Sequence, residues 1–166
     1  MDTLLPKRLV DKAREVIEAN RKAGRRIAVA ESCTGGLVSA ALTELAGSSD
    51  VFEAGYVTYS NASKISQLKV SEDVVDTFGA VSVATAWAMA RGALAASDAD
   101  IAVAITGIAG PGGGTPSKPV GTVVFACAER GADPAKIVAD QQQLKDNGRA
   151  GVRLQAALCA LDLLMP

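Results

Sequence analysis

A chain of 166 residues with 49% apolar and 21% charged residues suits one domain with a buried core, and this composition excludes the disordered and fibrous classes. Lys and Arg number 17 against 18 for Asp and Glu, no basic block occurs, and aromatics are only 4%, which argues against a surface that binds nucleic acid through phosphates and stacked bases. Histidine is absent, so a Ser-His-Asp triad, a Cys-His pair and an HExxH zinc site are excluded, and acid–base work falls to Lys, Tyr, Asp, Glu, Cys or water.

Cys33, Cys127 and Cys159 are odd in number and lack CxxC spacing, which predicts free thiols in a reducing compartment. The N-terminal segment Met1-Asp2-Thr3-Leu4-Leu5-Pro6-Lys7 lacks the basic start and apolar core of a signal peptide, and no run reaches the ~18 apolar residues of a membrane span. A cytoplasmic chain with no membrane partner, no metal and no cofactor is the expectation.

In chain order, Leu9, Ala13, Val16, Ile17 and Ala19 space an amphipathic helix over 6–22, with Pro6 tolerated in its first turn. Residues 26–30 form a short apolar strand candidate, and Leu37, Val38, Ala41, Leu42 and Leu45 then recur at helical spacing up to Gly47. Ala30-Glu31-Ser32-Cys33-Thr34-Gly35-Gly36 is the joint between them. A second strand is expected over 51–59 with an interruption at Gly55, followed by short helices over 62–69 and 72–78 and an alanine-rich helix over 81–96. Trp87 and Met89 on that last helix read as packing residues. The run 100–106 suits a strand buried on both faces, and it leads into a loop over 107–116 too glycine-rich for regular structure. Strands over 120–128 and 136–144, the second more polar and nearer an edge, precede a final helix over 147–164. No repeat or linker divides the chain, so residues 1–166 read as a single domain. Helices and strands alternate early and strands follow one another late, which predicts an α/β fold: a three-layer α/β/α sandwich on a mixed, mainly parallel sheet.

If the strands ending at Ser32 and Thr106 are parallel, both polar ends open on one crevice at the carboxyl edge of the sheet. A helix N-terminus behind Ser32 offers unpaired N–H groups and a positive dipole end to an anion or oxyanion, with the backbone of Thr34, Gly35 and Gly36 as donors; the alternative is that Ser32 or Thr34 simply caps the helix. A serine nucleophile needs a base. Without histidine, the best-placed one is Lys64, neutralised by burial, against the alternative of a solvated lysine. Cys33 is a competing nucleophile, and a Glu31 carboxylate paired with Lys64 would hold that lysine charged. Arg149 and Arg153, one turn apart at the start of the last helix, suit an anionic partner or a pairing with Asp146. The 107–114 loop lacks the GKS or GKT ending of a Walker phosphate loop.

Four segments, residues 30–36, Thr58-Tyr59-Ser60-Asn61 with Lys64, Thr106-Gly107-Ile108-Ala109-Gly110-Pro111, and Lys118-Pro119-Val120-Gly121-Thr122-Val123, occur in an order that resembles the CinA C-terminal domain family, the nicotinamide mononucleotide amidohydrolases. The resemblance implies a three-layer α/β/α domain that hydrolyses the carboxamide of nicotinamide mononucleotide to nicotinate mononucleotide and ammonia in pyridine-nucleotide salvage. It also implies a serine–lysine pair on Ser32 and Lys64 and an assisting threonine on Thr106. The candidate residues around the substrate are Thr34, Gly35, Gly36, Tyr59, Asn61, Gly107 and Gly110, with Arg149 on the phosphate. A stand-alone form without the pyrophosphatase-type domain of larger members is expected, as is a homo-oligomer. The rival reading is a non-catalytic nucleotide-binding module tied to competence or DNA damage.

Overall fold

The structure, a computed structural model, describes residues 3–166; Met1 and Asp2, the start of the segment read for a signal peptide, lie outside it. Among the described residues six α-helices and five strands follow the order α1 (Lys7–Lys22), β1 (Ile27–Glu31), α2 (Leu37–Thr43), β2 (Phe52–Val57), α3 (Asn61–Leu68), α4 (Glu72–Phe78), α5 (Val83–Ala95), β3 (Ile101–Gly107), β4 (Thr122–Glu129), β5 (Val138–Gln143) and α6 (Arg149–Leu163). The strands form one mixed sheet in the order β2-β1-β3-β4-β5. The β1–β2 and β1–β3 ladders are parallel, and the β3–β4 and β4–β5 ladders are antiparallel. Four strands therefore point one way and β4 alone runs against them, while the ladders divide evenly. The physical reason is connection length: parallel neighbours need a crossover helix, and no helix stands between β3 and β4 and only a three-residue 3-10 turn, Pro134–Lys136, between β4 and β5.

Side-chain alternation builds two different cores on the two faces of the sheet. On one face Ile27, Val29, Ile101, Val103, Ile105, Val123 and Phe125 pack with Leu9, Ala13 and Ile17 of α1, Val38 and Leu42 of α2, and Val152, Ala156 and Leu161 of α6. On the other, Ala28, Ala30, Ala102, Ala104, Ala126 and Ala128 meet Ala86, Met89, Ala90 and Ala93 of α5, with Leu68 and Val75 beside them. The layers are thus α1/α2/α6, the sheet, and α3/α4/α5. Trp87 sits at the outer rim of α5, where Arg91 stacks 4.8 Å from its ring centre. β5 is the polar edge strand, and Val138 on it is exposed.

β2 runs without interruption through Gly55. A Cβ at that position would collide with the Ser39 side chain of α2, so the glycine provides room for a neighbouring helix and does not break the strand. Among the described residues no helix is long and apolar enough to cross a membrane.

Candidate active site

The three parallel strands β2, β1 and β3 end on one edge of the sheet, and the segments that leave them converge there. Thr58 N–H donates to Glu31 O at 2.9 Å and Ser32 N–H to Ile105 O at 2.8 Å, which prolongs the ladders past the strand ends and fixes Ser32 between its neighbours. Ser60 then caps α3, its Oγ accepting from Ser63 N–H at 3.0 Å. Lys64 lies one turn into that helix. Helical side chains lean toward the N-terminus, and this direction returns the Lys64 amine to the strand ends it came from.

Lys64 is 1% exposed and Ser32 7%. Lys64 Nζ lies 2.9 Å from Ser32 Oγ, 2.8 Å from Thr58 O and 3.2 Å from Tyr59 O. No carboxylate among the described residues pairs with it. Burial pushes its pKa down from 10.5 to about 8, outweighing the opposing effect of Cys33. Two carbonyls accept the two hydrogens of a neutral amine, leaving its single lone pair for the Ser32 hydroxyl.

Glu31 has another task. Its carboxylate, fully buried, accepts from the N–H groups of Gly36 (3.1 Å), Val38 (3.1 Å) and Ser39 (2.9 Å) and from Ser39 Oγ (2.8 Å). It holds the first turn of α2 at the positive end of the helix dipole, where charge-assisted bonds are strongest. The Glu31–Lys64 pairing considered from the sequence does not form, and neither Ser32 nor Thr34 caps α2. The helix begins after Gly36, whose φ of 95° is left-handed and suits glycine.

This arrangement corrects the expected oxyanion donors. Gly36 N–H is taken by Glu31 and Gly35 N–H by Ser32 O at 3.0 Å. Among the described residues no other residue accepts from the N–H of Cys33 or Thr34, so the donors of the turn left without a partner elsewhere lie one and two residues after Ser32. The Arg153 guanidinium braces the same turn from α6, donating to Cys33 O at 3.2 Å and Thr34 O at 2.9 Å. Arg153 is therefore held to backbone, and Asp146 pairs with neither arginine among the described residues.

A cavity of about 260 Å³ opens at this point, lined by Ser32, Cys33, Tyr59, Lys64, Thr106 and Arg149 together with the 80–81 turn and residues 107–110, 112 and 113 of the glycine-rich loop. Ser32, Lys64 and Thr106 form its deep end, each nearly or fully buried, whereas Tyr59 is 59% exposed at the mouth. Thr106 Oγ1 donates to Ala80 O at 2.8 Å. Arg149, the first residue of α6, bridges the mouth: its guanidinium donates to Gly110 O at 2.7 Å and to the Tyr59 hydroxyl at 2.9 Å. Two of the five guanidinium hydrogens are so engaged and three are left for a ligand.

The structure thus brings together Ser32, Lys64, Thr106, Tyr59, Gly107, Gly110 and Arg149. Thr34, Gly35, Gly36 and Asn61 fall outside the cavity lining. Ala80 and Val81 are lining residues the sequence reading missed; their only signal was Gly79 ending a helix, which marks a turn without saying what it faces. Cys33 turns its side chain into the core, and burial raises its thiol to about 11, far from a reactive thiolate. Larger hollows exist between α1 and α6 and along α3 and α5, but neither contains a nucleophile beside a base. Among the described residues no three His, Cys, Asp or Glu side chains gather as a metal site.

The family described as the CinA C-terminal domain matches residues 10–166. The chain belongs to that family. It is 48% identical over 155 residues to the nicotinamide-nucleotide amidohydrolase PncC of Enterobacter agglomerans, covering 93% of this chain and 92% of the relative. The Pseudomonas putida protein of the same description is 48% identical over 145 residues, 87% of this chain and 88% of the relative. A CinA-like protein of Mycolicibacterium vanbaalenii is 51% identical over 142 residues, 86% of this chain, yet the match spans only 33% of that longer protein. Among solved structures, the competence/damage inducible protein CihA from Agrobacterium tumefaciens superposes with a TM-score of 0.92 at 45% identity, covering 98% of this chain and 97% of the other.

Proposed function

We propose that this chain hydrolyses the carboxamide of nicotinamide mononucleotide to nicotinate mononucleotide and ammonia, returning the nucleotide to pyridine-nucleotide salvage. The observation that carries the reading is the buried Lys64 amine 2.9 Å from Ser32 Oγ, with its pKa lowered to about 8. Names borne by two relatives of matching length support the substrate.

Ser32 Oγ attacks the amide carbon while its proton passes to Lys64 Nζ, and the oxygen that gains charge is met by the backbone N–H of Cys33, which lines the cavity. Collapse of the tetrahedral intermediate breaks the C–N bond, Lys64 returns the proton to the departing nitrogen, and ammonia leaves behind a nicotinoyl ester on Ser32. Water attacks that ester with Lys64 again accepting a proton. Cleavage of the C–Oγ bond restores Ser32 and releases the carboxylate. The pyridinium ring withdraws electrons from the carbonyl throughout, which eases both attacks. Arg149, with free donors at the mouth, holds the phosphate by charge-assisted bonds, and Tyr59 aligns its guanidinium. No step requires a metal ion or an organic cofactor.

Ammonia release on incubation with nicotinamide mononucleotide, followed without added metal, tests the reading. Stoichiometric ammonia and nicotinate mononucleotide are expected. Saturable binding with no product over many hours would leave a nucleotide-binding module and refute the hydrolase.

A further inference from the structure

Resting on the amidohydrolase reading, we propose that Thr106 is an acceptor-only group that recognises the N–H of the substrate carboxamide and so makes the site selective for amides over esters and acids. A threonine hydroxyl has one hydrogen and two lone pairs. In Thr106 the hydrogen is committed: Ala80 O, which can only accept, lies 2.8 Å from Thr106 Oγ1. Only lone pairs remain to face the cavity that Thr106 lines.

The turn that holds this hydrogen is itself fixed. Lys118 Nζ donates to Val81 O at 2.6 Å and Phe78 O at 3.3 Å, and Ser82 Oγ and Thr85 Oγ1 donate to Gly79 O at 3.0 and 2.7 Å. Ala80 O cannot swing away to release the Thr106 hydrogen without disturbing these contacts. Thr106 is therefore neither an oxyanion donor nor a proton source.

Position decides which substrate group meets it. Ser32 N–H donates to Ile105 O at 2.8 Å, so Ser32 and Thr106 are neighbours across the β1–β3 ladder. Both lie at the buried end of the cavity, away from the Arg149 and Tyr59 mouth. A substrate whose phosphate is at the mouth presents its reacting carbon at the deep end, and the donor attached to that carbon is the carboxamide nitrogen. Accepting from that N–H orients the leaving nitrogen, and the same lone pairs repel a carboxylate. Thr106 thereby favours binding of the amide and release of the acid from one fixed dipole. An ester, which has no N–H, loses the contact.

The experiment compares nicotinamide mononucleotide with the methyl ester of nicotinate mononucleotide as substrates of wild type, Thr106→Val and Thr106→Ser, and measures inhibition by nicotinate mononucleotide. Valine keeps the β-branched shape a strand accepts and removes the lone pairs. In Thr106→Val, kcat/KM for the amide should fall about ten- to a hundredfold while that for the ester changes less than threefold, since ten- to a hundredfold matches the loss of one buried hydrogen bond. The acid should inhibit Thr106→Val more tightly than wild type, and Thr106→Ser should recover most of the amide activity. Equal losses on amide and ester, or unchanged inhibition by the acid, would overturn the proposal and mark Thr106 as structural or as an oxyanion donor. A wild type inert toward both compounds would instead refute the hydrolase reading beneath it. If Thr106→Val fails to fold, Thr106→Ala carries the same comparison.

Discussion

A lysine acts as a base only through its neutral form, and the environment of Lys64 makes the size of that population calculable. With its pKa lowered to about 8, about one molecule in eleven carries the neutral amine at pH 7. At the ordinary value of 10.5 it would be about one in three thousand, so burial multiplies the competent population by about 300. Between pH 7 and 9 the neutral fraction rises about tenfold, from a pKa of about 8, and kcat/KM should rise with it, half-maximal near the pKa and level above about 9.5. Measurement above pH 7 keeps clear of the second ionisation of the substrate phosphate, near pH ~6. A profile flat from pH 7 to 9, or an inflection close to the ordinary lysine value, would refute the general-base role. Lys64→Arg sharpens the test, because a guanidinium keeps the charge and cannot deprotonate: kcat should fall by about 10²–10⁴ with nucleotide affinity retained. Near-normal turnover in that variant would assign Lys64 a purely electrostatic role.

Ser32→Ala should abolish turnover while Cys33→Ala keeps most of it, since the Cys33 side chain packs in the core; single-turnover trapping of the ester on Ser32 checks both, and an equally inactive Cys33→Ala would reject the assignment. Arg149→Ala should raise KM for the nucleotide more than tenfold with little change in the binding of bare nicotinamide, as expected for loss of a charge-assisted phosphate contact; equal effects on the two ligands would mark Arg149 as a brace between Gly110 and Tyr59. Glu31→Ala removes four hydrogen bonds from the first turn of α2 and should lower stability by about 2–4 kcal/mol in urea unfolding. A change under 0.5 kcal/mol would show that α2 does not depend on this cap.

Element positions were legible because apolar spacing and glycine or proline punctuation are local. The spacing places β3 at 100–106 and it spans Ile101–Gly107; the spacing places the last helix at 147–164 and it spans Arg149–Leu163. The convergence of Ser32, Lys64 and Thr106 was legible at one remove, since strand ends in an open α/β sheet share an edge. What stayed hidden depends on side chains folding back over distance. A capping residue is sought beside the first helical turn, but Glu31 reaches forward five to eight residues from inside a strand to Gly36, Val38 and Ser39. Gly55 looked like a strand break because the Ser39 side chain that occupies its missing Cβ lies on another element. The division of ladder directions was equally out of reach, because turn sequences give connection lengths without giving strand order.

The two faces of the sheet set opposite rules for how this molecule tolerates change. Where Ile27, Val29, Val103 and Phe125 meet α1, α2 and α6, branched side chains of similar volume can exchange and repack. Where Ala28, Ala30, Ala102 and Ala104 meet Ala86, Ala90 and Ala93, the facing side chains are themselves single methyls with little room to give, and an added methyl costs about 1–3 kcal/mol for an overpacked site. Gly92 is the extreme, since a Cβ there would overlap Leu68 O at the end of α3. The helix that carries Lys64 is therefore seated on the side of the molecule that has least freedom to drift, so sequence divergence should accumulate behind the nucleophile and spare the layer that holds its base.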